Sequence, residues 1–266
     1  MTNATDAGGL FRAGKLDEAV AAATDAVRRA ATDLGPRLLL CELLLFQGRL
    51  DRVDTLLDAA STLDPSVAVG VAEFRQLLRA EIARRQMMTD GRVPEFLGEP
   101  TVAQRAALAA LVALRTGDAE AAAAAVAEAE AARPHPAGRM AEAAYDDLRD
   151  GDDLLGGSLE VLTTTGRYFW VPMERIVSMQ PHPPARPRDL FWRRATLAVA
   201  DGPTGEVYLP VLYDHTPADA DDQLRLGRAT DWVELPGGVI RGVGQKLLLV
   251  GEEGVPLLQL AALEAA

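Results

Sequence analysis

A four-residue phrase occurs twice in the first 51 residues. Gly14-Lys15-Leu16-Asp17 returns as Gly48-Arg49-Leu50-Asp51, and 48 − 14 is 34 residues. That offset is the period of helical-hairpin repeats of the tetratricopeptide type. The residues upstream recur in step, with Leu10 and Phe11 standing where Leu44 and Leu45 stand. A weaker echo, Gly117-Asp118-Ala119-Glu120, begins 117 − 48 = 69 residues later, close to two further periods. In each copy the glycine suits the left-handed residue that ends a helix. Asp17 and Asp51 fall in the first turn of the next helix, where the helix dipole favours an anion. One hairpin cannot bury its apolar face alone, so such units stack and leave a groove. The first half therefore reads as a surface for holding another chain.

Composition narrows the function classes. A chain of 266 residues makes one or two domains. Its formal charge of −12 argues against non-specific binding to nucleic acid or to an anionic membrane. The one cysteine, Cys41, lies in the apolar run from Leu38 to Leu45, so no disulfide framework exists within one chain, and Cys41 reads as a small buried hydrophobe. Met1 to Asp6 carries neither a basic nor an apolar signal region, and no run reaches the roughly 18 apolar residues of a membrane span. The expected location is the cytoplasm.

The expected fold class is α+β. Residues 1–150 are rich in alanine and leucine and read as a helical-hairpin solenoid. Helices are expected over roughly 2–13, 16–32, 36–47, 50–63, 66–88, 101–115 and 118–132, and a last one over 137–149. The composition changes at Asp150-Gly151-Asp152-Asp153. Residues 151–266 hold short β-rich runs separated by glycine and proline turns, as in a small barrel or a twisted antiparallel sheet. Within Tyr168-Phe169-Trp170, Phe169 points away from Tyr168 and Trp170. Residues 214–228 read as a polar, mobile loop.

Catalytic patterns are sparse. His135 and His182 are flanked by prolines, and no histidine has a ligand partner at helix or hairpin spacing. A metal-dependent enzyme would have to use the acidic loop 214–222, with Asp214, His215 and Asp219. The glycines from Gly237 to Gly244 precede no helix and so make no phosphate loop. No cofactor is expected and no catalytic set is assigned.

Three ordered motifs in the β half are more specific. They are Gly166-Arg167-Tyr168-Phe169-Trp170-Val171-Pro172-Met173-Glu174-Arg175-Ile176, then Arg186-Pro187-Arg188-Asp189-Leu190-Phe191-Trp192-Arg193, then Gly205 to Tyr213. Together with the helical first half they resemble the ImpE/TagJ family, accessory proteins of bacterial type VI secretion systems. The resemblance implies a cytoplasmic, non-enzymatic adaptor. It implies binding to the N-terminal helix of the small subunit (TssB-type) of the contractile sheath. It further implies an indirect link to the unfoldase ATPase (ClpV-type) that disassembles contracted sheaths.

A partner helix would lay its apolar face into the concave trough of the solenoid. The first helix of each hairpin lines that trough, which nominates Leu10, Phe11, Leu38, Cys41, Glu42, Leu45, Phe74, Arg75 and Leu78. The rival surface lies on the β half, around Tyr168, Trp170, Arg188 and Trp192. Self-assembly into a structural scaffold is the remaining alternative.

Overall fold

The computed structural model describes residues 6–266. Seven helices lead: α1 (Ala7–Arg12), α2 (Leu16–Arg29), α3 (Leu34–Phe46), α4 (Leu50–Leu63), α5 (Ala68–Asp90), α6 (Val102–Thr116) and α7 (Ala119–Ala132). The repeat glycines end helices as their spacing requires: Gly14, Gly48 and Gly117 have φ of 81°, 70° and 77°. Asp17 and Asp51 occupy first turns. Helix α6 starts with a reciprocal cap between Thr101 and Gln104, so two orphan backbone donors are satisfied at once.

The stretch 137–149 is not a helix, contrary to its alanine content. It forms β1 (Gly138–Met140), β2 (Ala143–Tyr145) and β3 (Leu148–Asp150). Ala141, at φ 51°, makes the turn between the first two. Tertiary pairing overrides helix propensity here. Gly138 lies opposite Tyr145 of β2 on one side and Ala265, 265 − 138 = 127 positions along the chain, on the other, so β1 is paired along both edges. A Cβ at Gly138 would lie inside contact distance of the Glu264 carbonyl oxygen and the Tyr145 hydroxyl. Gly138→Ala is therefore expected to cost about 1–3 kcal/mol by overpacking, read as a lower denaturant midpoint.

The remaining strands are β4 (Ser158–Leu162), β5 (Tyr168–Pro172), β6 (Ile176–Pro181), β7 (Trp192–Val199) and β8 (Thr204–Pro210). After the short helix α8 (Asp222–Arg225) come β9 (Thr230–Leu235), β10 (Val239–Gly244), β11 (Leu247–Val250), β12 (Glu253–Pro256) and β13 (Leu263–Ala265). Eight of them make an open antiparallel sheet in the order β2-β1-β13-β6-β7-β8-β4-β5. Strands β12, β11 and β3 form a second sheet, and β9 and β10 a ribbon.

The period-2 alternation of the large sheet decides what it touches. Leu159, Val161, Phe169, Val171, Leu197 and Leu209 join a core within the β half, together with Leu248 and Val250 of β11. Leu162, Tyr168, Trp170, Trp192 and Tyr208 join the core of the helices. Both faces are thus covered, and the sheet is the middle layer. Its β5 edge is covered as well. Glu95 donates its N–H to the Tyr168 carbonyl and accepts from the Trp170 N–H, at 2.9 and 3.0 Å.

The polar run 214–228 is a clasp, not a free loop. Asp222 accepts the N–H of Leu16 at 3.0 Å and so caps α2 from the other half of the chain. Arg225 meets Asp17 at 3.1 Å, and Arg228 donates to the carbonyls of Phe11 and Arg12 at the end of α1. These contacts satisfy helix-end groups that would otherwise need water.

Candidate interaction site

The trough of the solenoid is lined by α1, α3 and α5, and the chain fills it with its own β half. Four aromatic contacts form a chain along the seam, and two of them, Phe46–Phe191 and Phe74–Trp192, cross it. Phe11 meets Phe46 at 5.3 Å between ring centroids, Phe46 meets Phe191 at 5.3 Å, Phe191 meets Trp192 at 5.2 Å, and Trp192 meets Phe74 at 6.0 Å. The last three are edge-on, the arrangement that the ring quadrupole favours. Phe11, Leu45, Phe74 and Leu78 are accordingly buried, as is Cys41, whose thiol is pushed up to about 12 by burial and then by Glu42. Leu10 and Leu38 are half-buried against the same core.

The two charged nominees are engaged within the chain. Glu42 is 6% exposed and pairs with Arg186 at 2.9 Å. Arg75 bridges Asp54 and Asp58 of α4, at 2.8 and 3.0 Å, and so serves helix packing. Tyr168, Trp170, Arg188 and Trp192 are buried too. The two nominated sets are the two sides of one internal seam, with Phe74 packed against Trp192 and under the Arg188 guanidinium.

A buried ion cluster lies beside the aromatic seam, and sequence reasoning missed it. Arg84 of α5 grips Glu160 of β4 with two hydrogen bonds of 2.7 and 3.1 Å and donates to the Leu212 carbonyl at 2.9 Å. Lys246 reaches Glu160 at 2.8 Å and Asp150 at 3.1 Å. Tyr168 donates to Glu160 at 2.5 Å, and Trp170 donates to the Tyr168 hydroxyl at 2.6 Å. Glu81 pairs with Arg84 and Arg85 and accepts from Trp192 Nε1. Burial pushes the Glu160 carboxyl up, but Arg84 and Lys246 outweigh it and hold the group well below the ordinary range. The signal in the sequence was a lone carboxylate inside the apolar run Leu159-Glu160-Val161.

The acidic loop does not gather a metal set. Asp214 is paired to Arg241 at 2.9 Å, and Asp222 caps α2. Among the described residues no three His, Cys, Asp or Glu side chains are grouped to hold a metal ion. No helix there is long and apolar enough to cross a membrane.

Two clefts open beside the seam. The first has a volume of about 220 Å³ and lies between the C-terminal ends of α3 and α5 and residues 212–218. Its walls include Leu45, Phe46, Met88, Phe191 and Leu212. The second, of about 380 Å³, lies between Gly70 and Glu73 of α5, the segment 182–189, and Arg194, Glu206 and Tyr208 of the sheet.

Comparison with known proteins agrees with this architecture. The family model described as ImpE protein matches residues 142–264, and a tetratricopeptide repeat model matches residues 10–77. The type VI secretion system accessory component TagJ of Pseudomonas aeruginosa is 34% identical over 257 residues, covering 96% of this chain and 89% of that protein. A crystal structure of a Vibrio parahaemolyticus protein superposes with a TM-score of 0.92 at 26% identity, covering 98% of this chain and 97% of that one. The chain belongs to the ImpE/TagJ family.

Proposed function

We propose that this member of the ImpE/TagJ family is a non-enzymatic accessory adaptor of a bacterial type VI secretion system, working in the cytoplasm. It holds the N-terminal helix of the small sheath subunit and links that subunit to the ATPase that takes contracted sheaths apart. With most of the concave trough occupied from within, the helix inserts an apolar anchor into the cleft floored by Leu45, Phe46, Met88, Phe191 and Leu212.

The observation that carries this reading is the character of that cleft. Its exposed wall is mainly apolar and comes from both halves, with Glu81, Arg84, Arg85, Asp214 and Arg225 also lining it, and its volume of about 220 Å³ is below the roughly 300–1,000 Å³ of small-molecule sites. A single large side chain suits it. The accessory role of the TagJ relative supports the same conclusion.

Calorimetric titration of the full chain with a peptide of the sheath subunit's N-terminal helix tests it. Thr89 and Ala218 are exposed at the mouth, so their substitution spares the core. Ala218→Trp and Thr89→Glu should each weaken binding about 30-fold, the loss of one anchor worth roughly 2 kcal/mol. Val177→Ser, an exposed position on β6, should leave it unchanged. An inert peptide, or full affinity in Ala218→Trp, would sink the proposal.

A further inference from the structure

The ribbon of β9 and β10 has one edge closed and one edge open. Ile240, Gly242 and Gly244 make the closed edge on β10. The Ile240 N–H donates to Asp153 Oδ2 at 2.7 Å, and its carbonyl accepts the Asp153 N–H at 3.0 Å. Gly242 N–H donates to Asp152 Oδ2 at 2.9 Å and Gly244 N–H to Thr216 Oγ1 at 2.8 Å, and the Gly244 carbonyl accepts the Tyr213 N–H at 2.9 Å. These residues turn away from β9. Val239, Arg241 and Val243 between them therefore carry the ladder to Leu235, Val233 and Asp231. The same alternation turns the N–H and C=O groups of Thr230, Trp232 and Glu234 outward from β9. No other strand pairs with β9 among the described residues, and the Trp232 N–H is taken only by its neighbour Asp231, at 2.8 Å.

An open edge of this kind is a template for an added strand. The β5 edge is covered by Glu95, whereas Asp231, Trp232, Val233 and Glu234 are all exposed. Trp232 and Val233 are 39% and 38% exposed, so apolar surface stands at the middle of the edge. Tyr213 holds the indole in place at 5.9 Å between ring centroids, and the absence of a Cβ at Gly151 leaves room for it.

Charge names the occupant. Asp231 and Glu234 flank the apolar pair with no ion pair to either among the described residues, and Arg241, the cation of the ribbon, turns inward to Asp152 and Asp214 at 2.8 and 2.9 Å. The two acids are three positions apart, so they lie on opposite faces of the ribbon. An added strand meets both when its own cations stand three positions apart, whichever way it runs. β-Branched residues between those cations then lie opposite Trp232 and Val233. A second copy of the chain offers acids on this edge, and a formal charge of −12 on each copy opposes its approach.

We propose that β9 accepts an extended, basic segment of a partner polypeptide as the next strand of the ribbon, with two cations three positions apart set against Asp231 and Glu234. No residue of β9 lines the apolar cleft, and the site does not rest on the adaptor reading.

Amide hydrogen exchange of the full chain tests this, with the blocked hexapeptide Thr-Lys-Val-Val-Lys-Thr as probe. The Thr230 and Glu234 amides should exchange freely in the chain alone, and saturating peptide should slow them about 10-fold or more as they gain ladder partners. The isomer Thr-Lys-Lys-Val-Val-Thr, of equal charge, should bind about 5-fold more weakly. Asp231→Lys combined with Glu234→Lys, both at exposed positions, should reverse the preference. Followed at the Thr230 amide, that variant should take Thr-Glu-Val-Val-Glu-Thr and release the lysine peptide. Amides that ignore the lysine peptide, or a spacing isomer that binds as tightly, overturn the proposal. So does slowing that rises with protein concentration in the absence of peptide, since the edge then belongs to a second copy.

Discussion

Glu160→Ala lowers the unfolding free energy by about 3–5 kcal/mol at neutral pH, because it strands two buried cations. Arg84 and Lys246 are 3% and 4% exposed, so water cannot replace the carboxylate for either. Lys246 keeps Asp150 and Arg84 keeps Glu81, which limits the loss. The wild-type pH profile follows from the same site. The Glu160 carboxyl is depressed in the folded chain. Its contribution is therefore fully present above the unfolded carboxyl pKa of about 4.3 and is lost as pH falls through its own lower value. Urea midpoints measured from pH 7 down to pH 3 should show that acid limb in the wild type and a shallower one in Glu160→Ala. The double change Arg84→Met with Glu160→Leu should recover part of the loss, since an apolar pair removes one of the two stranded charges and leaves Lys246 to Asp150. Recovery stays incomplete because Tyr168 loses its acceptor. A single variant as stable as wild type would mean that the cluster contributes little to joining the halves.

Much of this architecture was legible because it is local. The 34-residue offset, the left-handed glycines and the aspartates in first turns act within a few residues of themselves, and α4 runs over 50–63 as read. The alternation of Tyr168, Phe169 and Trp170 was legible for the same reason. What escaped depends on distant partners. Helix propensity favoured a helix over 137–149, but Gly138 finds Ala265 and becomes a strand. A polar run reads as solvated, yet 214–228 clasps α1 and α2, with Asp222 bonding a backbone group 206 positions away. Most of the nominated trough residues are apolar, and those are buried or half-buried in the core that the helices share with the sheet. Apolarity alone cannot say whether the surface that covers such a face belongs to a partner or to the same chain.

The covering surface has a keystone, and Trp192→Ala is the change that removes it. Trp192 is 0% exposed, packs edge-on against Phe74 and Phe191, and donates Nε1–H to Glu81 at 3.2 Å. Truncation of a fully buried tryptophan costs about 3–5 kcal/mol in transfer and cavity terms. For a chain of this length that lowers the melting midpoint by roughly 6–20 °C. Val69→Ala, at a position 84% exposed on α5, should stay within about 0.5 kcal/mol. Hydrogen exchange locates the effect. The amides of α3 and α5 that face the sheet should lose protection in Trp192→Ala, while those of α6 and α7, which pack chiefly on each other, should keep theirs. This separates two ways of closing the trough. If the aromatic seam holds the halves together, Trp192→Ala opens α3 and α5 although the Arg84–Glu160–Lys246 contacts remain. If the ion cluster holds them, the same variant costs under about 1 kcal/mol, exchange stays unchanged, and Glu160→Ala alone opens the seam.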